Sequence, residues 1–113
     1  MSEKNYHQNL IQTFCDNLSY FNKYFSFEIY RVKTNVQFHP LTEIDIILFG
    51  KNKKALIEVK SNRNGMGKFL QKQFQHYRSY DKKASIYLLF GNESESLSLE
   101  DITLQRYHPA DIK

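Results

Sequence analysis

Apolar and polar positions fall into blocks along this chain, and the blocks predict a helix, three strands, a second helix and a further strand. Tyr6, Leu10, Phe14, Leu18 and Phe21 recur near helical spacing. Ser2 can cap such a helix and Glu3 suits the positive end of its dipole, so a first helix is expected over residues 2 to about 20. The alternation of Phe25, Phe27, Ile29 and Val32 predicts a strand from Tyr24 to Lys33, after which Asn35 to Pro40 reads as a loop and His39 as a polar loop residue. Ile44, Ile46, Ile47, Leu48 and Phe49 then form an apolar run, Gly50-Lys51-Asn52-Lys53 supplies a polar turn, and Ala55 to Val59 resumes the apolar pattern. That is a hairpin of two strands. Asn62, Asn64, Gly65 and Gly67 break regular structure just after it. A helix is expected from about Met66 to Lys82, with Met66, Leu70, Phe74 and Tyr77 on one face. Ala84 to Phe90 reads as a buried central strand reached by a helical crossover. Beyond an acidic linker from Asn92 to Ser98, residues 99 to 107 are expected to add either a short helix or an edge strand.

The charges inside the hairpin are its exceptions. Asp45 interrupts the first apolar run, and Glu58 and Lys60 break the second. Residues two apart on a strand share a face, so Glu58 and Lys60 project together, and simple hairpin register sets Asp45 beside Glu58. Ionised groups on a half-buried sheet lose hydration unless they are paired or hold a metal. Magnesium and similar hard cations take carboxylate, phosphate and water oxygens, so an adjacent Asp and Glu suit one. The lysine beside them can position or deprotonate an attacking water and offset charge developing on a phosphodiester. Glu43 shares the Asp45 face and is read as a solvated charge at the strand end.

An Asp on one strand followed by Glu-x-Lys on the next resembles the PD-(D/E)xK nuclease superfamily, and Asp45, Glu58 and Lys60 are the matching residues. The residue before the Asp is Ile44 and not proline; Pro40 lies five residues upstream of Asp45. The resemblance implies an α/β fold with a restriction-endonuclease-like core, a mixed central sheet of about four strands flanked by helices in the order α-β-β-β-α-β. It also implies Mg²⁺ or Mn²⁺ held by Asp45, Glu58 and the Val59 carbonyl. Two further features are similar to the RecB-like branch: His7-x-x-Leu10 on the first helix, where that branch has a metal-binding His, and Gln73-x-x-x-Tyr77 on the later helix, where a Gln-x-x-x-Tyr motif supports the active site. In size and layout the chain also resembles small Holliday-junction resolvases, which act as two-fold dimers.

Charge adds a partner. The net charge is +4, but residues 51 to 83 hold ten Lys or Arg against Glu58 and Asp81, while residues 1 to 50 and 92 to 113 are each net acidic. Cations around the Glu-x-Lys motif are what a polyanionic substrate calls for, and Lys51, Lys53, Arg63, Lys68 and Lys72 are the expected nucleic-acid contacts. Arg31 and Lys33 are weaker candidates for facing phosphate. With 113 residues, one nuclease domain is expected over 1–113, with 92–113 a C-terminal extension. Cys15 is the single cysteine, and the sequence offers no long apolar run and no signal peptide. An intracellular, cytoplasmic protein is expected, with no membrane partner and no disulfide.

The functional expectation is a Mg/Mn-dependent deoxyribonuclease, acting on branched DNA as a homodimer or, alternatively, as a RecB-like exonuclease on linear or single-stranded DNA. A non-catalytic nucleic-acid-binding module is a competitor from another class, because a fold does not by itself carry a function. So is a small regulatory protein whose basic face binds an acidic partner. Metal-dependent cleavage separates them.

Overall fold

In a computed structural model the described residues are 3–40, 42–60, 73–91 and 97–107, with side chains described from Tyr6 onward. They form an α/β fold around a five-stranded mixed sheet. Helix α1 (Glu3–Asp16) stops at Asn17, whose side-chain amide donates to the Thr13 carbonyl at 2.8 Å; a short α2 (Leu18–Phe21) and one 3-10 turn (Asn22–Tyr24) follow. The sheet runs β1 (Arg31–His39), β2 (Thr42–Phe49), β3 (Lys54–Lys60), β4 (Ser85–Phe90) and β5 (Thr103–Tyr107), and its spatial order is its chain order. Among the described strands only β3 and β4 pair in parallel, and α3 (Phe74–Tyr80) lies on the crossover between them.

The sheet separates two cores. On one face Tyr6, Leu10, Ile11 and Phe14 of α1 pack with Ile46, Leu48, Ala55, Ile57, Val59 and Leu89. On the other, Phe74 and Tyr77 of α3 pack with Ile47, Leu56, Ile86 and Leu88. Strands β2, β3 and β4 are covered on both sides and are therefore almost wholly apolar. Gly91, just past β4, lets α1 come this close: a Cβ there would run into the Tyr6 hydroxyl and the Leu10 side chain.

The first strand differs from the sequence expectation. Residues 25–30 lie outside any strand, with Phe25, Phe27 and Ile29 packed on the α1-side core, and the strand runs instead through Asn35 and Gln37, which had read as loop. The reason is position. An edge strand pairs on one side and is largely exposed here, so its side chains carry no apolar signal. The C-terminal stretch holds both expected alternatives, a 3-10 turn (Leu99–Asp101) closed by a Ser98–Asp101 capping box and then edge strand β5, which brings the strand number to five rather than four.

One irregularity sets up everything that follows. Ile46 and Leu48 pack in the α1-side core and Ile47 in the α3-side core, as alternation requires, yet Ile44, two residues from Ile46, packs on the α3 side. Alternation therefore inverts at Asp45. Across the ladder β1 inverts too: Val32 packs on the α1 side and Val36 on the α3 side, with Asn35 between them at φ 53°. Asparagine tolerates the left-handed region better than other side-chain-bearing residues. We expect Asn35→Val to destabilise the fold by about 1–2 kcal/mol, because a β-branched residue resists that φ, and Asn35→Gly to be near neutral. Thermal melts of the two variants check this; equal melting temperatures would contradict it.

Candidate active site

The β2–β3 ladder is paired from Phe49↔Lys54 to Ile46↔Ile57, and the next step of the same register sets Asp45 opposite Glu58. The backbone ladder gives way there to a side chain. The Val59 N–H donates to Asp45 Oδ2 at 2.8 Å, and the Val59 carbonyl lies 3.0 Å from His7 Nε2. Both main-chain groups of Val59 on this side are thus satisfied by side chains, one from β2 and one from α1. His7 Nε2 is also 3.4 Å from Asp45 Oδ2, so one protonated ring nitrogen faces two oxygens.

Helix α3 supplies the other wall. Tyr77, fully buried, donates its hydroxyl to Glu58 Oε1 at 3.1 Å. Glu58 Oε2 is buried without a hydrogen-bond donor, its nearest cation being Lys60 Nζ at 3.5 Å. Lys60 Nζ is in turn 3.5 Å from Gln73 Oε1. The structure therefore brings together Asp45, Glu58, Val59, Lys60, His7, Gln73 and Tyr77.

Electrostatics make the cluster a strained one. Burial pushes the Glu58 carboxyl well up, and the hydrogen bond and negative charge of Asp45 push it further, against weaker opposing effects of Lys60 and Tyr77. Burial also acts to raise Asp45, but hydrogen bonds from His7, Glu58 and the Val59 N–H outweigh it, so its carboxyl ends below the usual range. The two acids titrate as one unit, Asp45 drawn toward its charged form and Glu58 toward its protonated one. The hydrogen bond to Asp45 raises His7 more than burial lowers it. Tyr77 is pushed well above 10 by burial and then by the charges of Glu58 and Asp45, and so stays a donor.

A divalent cation fits this donor chemistry. Asp45 Oδ2, the Val59 carbonyl and His7 Nε2 face one another with a proton between them, and the lone Glu58 oxygen lacks a donor. Among the described residues no group of three or more His, Cys, Asp or Glu is gathered as a ready-made cage, so a cation here would rely on the Val59 carbonyl and water as well.

Other expected residues lie elsewhere. Lys51 and Lys53 sit in the β2–β3 turn, at the opposite end of β3 from Lys60; seven strand residues place them about 20 Å away. Neighbours in sequence are carried apart by an extended strand. Arg63, Lys68 and Lys72 lie outside the described residues. Glu43 is exposed and accepts from Asn35 Nδ2 at 2.7 Å. Sequence reasoning missed His76, which bonds Thr42 Oγ1 through Nδ1 and stacks on His39 with ring centroids 4.3 Å apart, at the same end of the sheet as Asp45. His39 is accordingly a packed strand residue rather than a loop one. The helical spacing Gln73, His76, Tyr77 was the available signal. No family model, curated protein or solved structure matches this chain.

A group that holds its proton more tightly in the folded chain than in the unfolded one adds stability below its unfolded value and loses it as pH climbs through the folded one. His7 (ordinarily 6.5) and Glu58 (ordinarily 4.5) both behave so. Asp45 works the other way, its contribution vanishing as pH falls below its ordinary 3.8. The metal-free protein should therefore melt at lower temperature as pH rises from about 5 to about 8, by roughly 4–8 °C for each kcal/mol lost. Glu58→Gln should flatten that decline and melt above wild type at the alkaline end. Melting curves in EDTA that are flat across the range for wild type would contradict both statements.

Proposed function

We propose that this chain is a divalent-metal-dependent deoxyribonuclease with a restriction-endonuclease-like core, in which Asp45, Glu58 and Lys60 carry phosphodiester hydrolysis. The observation that carries the reading is the buried Asp45–Glu58 carboxyl pair, with one Glu58 oxygen lacking a hydrogen-bond partner beside the Lys60 ammonium. Such a pair stores electrostatic cost of the kind that functional sites concentrate. Asp45, Glu58 and the Val59 carbonyl would hold Mg²⁺ or Mn²⁺, with His7 completing the set once its ring is neutral. A bound cation of this kind polarises the phosphoryl oxygen and makes a coordinated water more acidic.

The chain's own groups do the rest. Tyr77 fixes one oxygen of Glu58 and leaves the other beside the Lys60 ammonium. Lys60, held between Glu58 and Gln73, presents its ammonium to the attacking water and to charge growing on a non-bridging oxygen. Water adds to phosphorus as the bond to the sugar oxygen breaks, and no side chain becomes covalently attached. Contacts of His7, Gln73 and Tyr77 with the three central residues favour the RecB-like form of this reading, action on linear or single-stranded DNA, over junction cleavage by a homodimer.

Labelled linear, single-stranded, flapped and four-way DNA incubated with Mn²⁺ test it, and linear or single-stranded substrates should be degraded. Asp45→Asn, Glu58→Gln and Lys60→Gln should each lower cleavage by on the order of 10³-fold while DNA binding persists. Wild-type cleavage by any one of the three, or no cleavage of any substrate by the parent protein, would overturn the assignment. His7→Ala should raise the Mn²⁺ concentration needed for half activity; an unchanged titration would leave His7 with a packing role alone.

A further inference from the structure

Most of the described cations gather at the end of the sheet away from the carboxyl pair. There the β2–β3 turn and the loop after α3 enclose a concavity of 310 Å³, lined by Lys51, Lys53, Lys54 and Lys83 with Asp81 as its single acid. Its walls are hydrogen-bonded. The Gly50 N–H donates to the Lys53 carbonyl at 2.8 Å, Asp81 Oδ1 accepts the Lys83 N–H at 2.9 Å, and Arg78 Nη1 donates to the Lys82 and Ala84 carbonyls at 2.9 and 3.3 Å. Lys54 is already committed, 3.3 Å from Asp81 Oδ2 and 5.8 Å from the ring centroids of both Phe49 and Tyr80. That pair cancels. Lys51, Lys53 and Lys83 are exposed, Lys53 Nζ lying 3.5 Å from Ser26 Oγ, and they leave three positive charges around the space while Asp81 is the one acid among its described lining residues.

We propose that this concavity is a remote phosphate-binding site that seats the backbone of the same nucleic acid, away from the phosphate being cleaved. Flexible ammonium groups on two hydrogen-bonded turns recognise phosphate as point charges, without reading sequence. Arg31 and Lys33, on β1 beside Phe49, carry the positive surface outward from the concavity, as a chain of phosphates requires and a single small anion does not. Helix α3 links the two places: Gln73 before its first turn touches Lys60, and Asp81 after its last turn lines the concavity. The separation of about 20 Å corresponds to roughly six phosphate steps of one strand. As a substrate site the inference rests on the nuclease reading; as a binding site it does not.

The test is binding without metal. Wild type and Lys51→Ala/Lys53→Ala/Lys83→Ala are titrated in EDTA with a labelled duplex of about twenty base pairs, at salt from about 50 to about 200 mM. Each lost phosphate contact removes about 0.9 from the slope of log affinity against log salt, so the triple variant should lose about 2.7. Lys51→Gln/Lys83→Gln should lose about 1.8, which guards against a folding defect in the first variant. Where cleavage is measurable, KM should rise with kcat unchanged. An unchanged slope in both variants overturns the proposal, as does a wild type that binds inorganic phosphate through these lysines yet binds the duplex no better than the variants do. Loss of slope in a protein that cleaves nothing would uphold this binding site while removing the nuclease reading.

Discussion

Asp45 accepting the Val59 N–H is the contact on which the rest of the candidate site depends. Two strands that pair normally up to Ile46 and Ile57 leave Val59 with a donor and an acceptor turned toward β2. A carboxylate on β2 takes the donor, and an imidazole from the opposite layer takes the acceptor. For that carboxylate to reach β3, the alternation of β2 must invert at Asp45, and β1 must follow with a left-handed residue at Asn35. Backbone, helices α1 and α3 and both cores thus converge on one buried carboxyl pair.

A buried charge then dictates its neighbours. Asp45 is held toward its charged form because three hydrogen-bond partners outweigh burial, while burial, reinforced by Asp45, pushes the Glu58 carboxyl opposite it well up. Replacing this arrangement with apolar side chains would relieve the fold, since buried ion clusters contribute little net stability. The proposed cation would account for its presence. The opposite end of the sheet has the complementary imbalance, ammonium groups in excess of acids around a concavity. One end is short of cations and the other of anions, and the proposed metal and nucleic acid would each offset one of these imbalances.

How much of this was readable in advance followed from burial. Asp45, Glu58 and Lys60 stood out because a charge in an otherwise apolar central strand is conspicuous, and hairpin register put them together without further information. His7 and Tyr77 were legible from helical spacing, since each lies on the face its helix turns to the sheet. Strand β1 was hidden because an exposed edge strand need not alternate, and the apolar Phe25, Phe27 and Ile29 upstream offered a false signal: they pack on the core without pairing. Lys51 and Lys53 were placed at the site by proximity in sequence, which the extended geometry of β3 undoes. The inversion at Asp45 left no trace in the sequence at all, because it is a property of two strands together.

The central claim is that the Asp45–Glu58 pair is built for a divalent cation. Anomalous diffraction from a crystal equilibrated with Mn²⁺ tests it most directly, since it locates the ion independently of any activity. The account predicts a peak within ligating distance of a carboxylate oxygen of Asp45 and of Glu58 and of the Val59 carbonyl. A crystal in which that position is without Mn²⁺ while the ion occupies another place, such as the stacked His39 and His76, would contradict it.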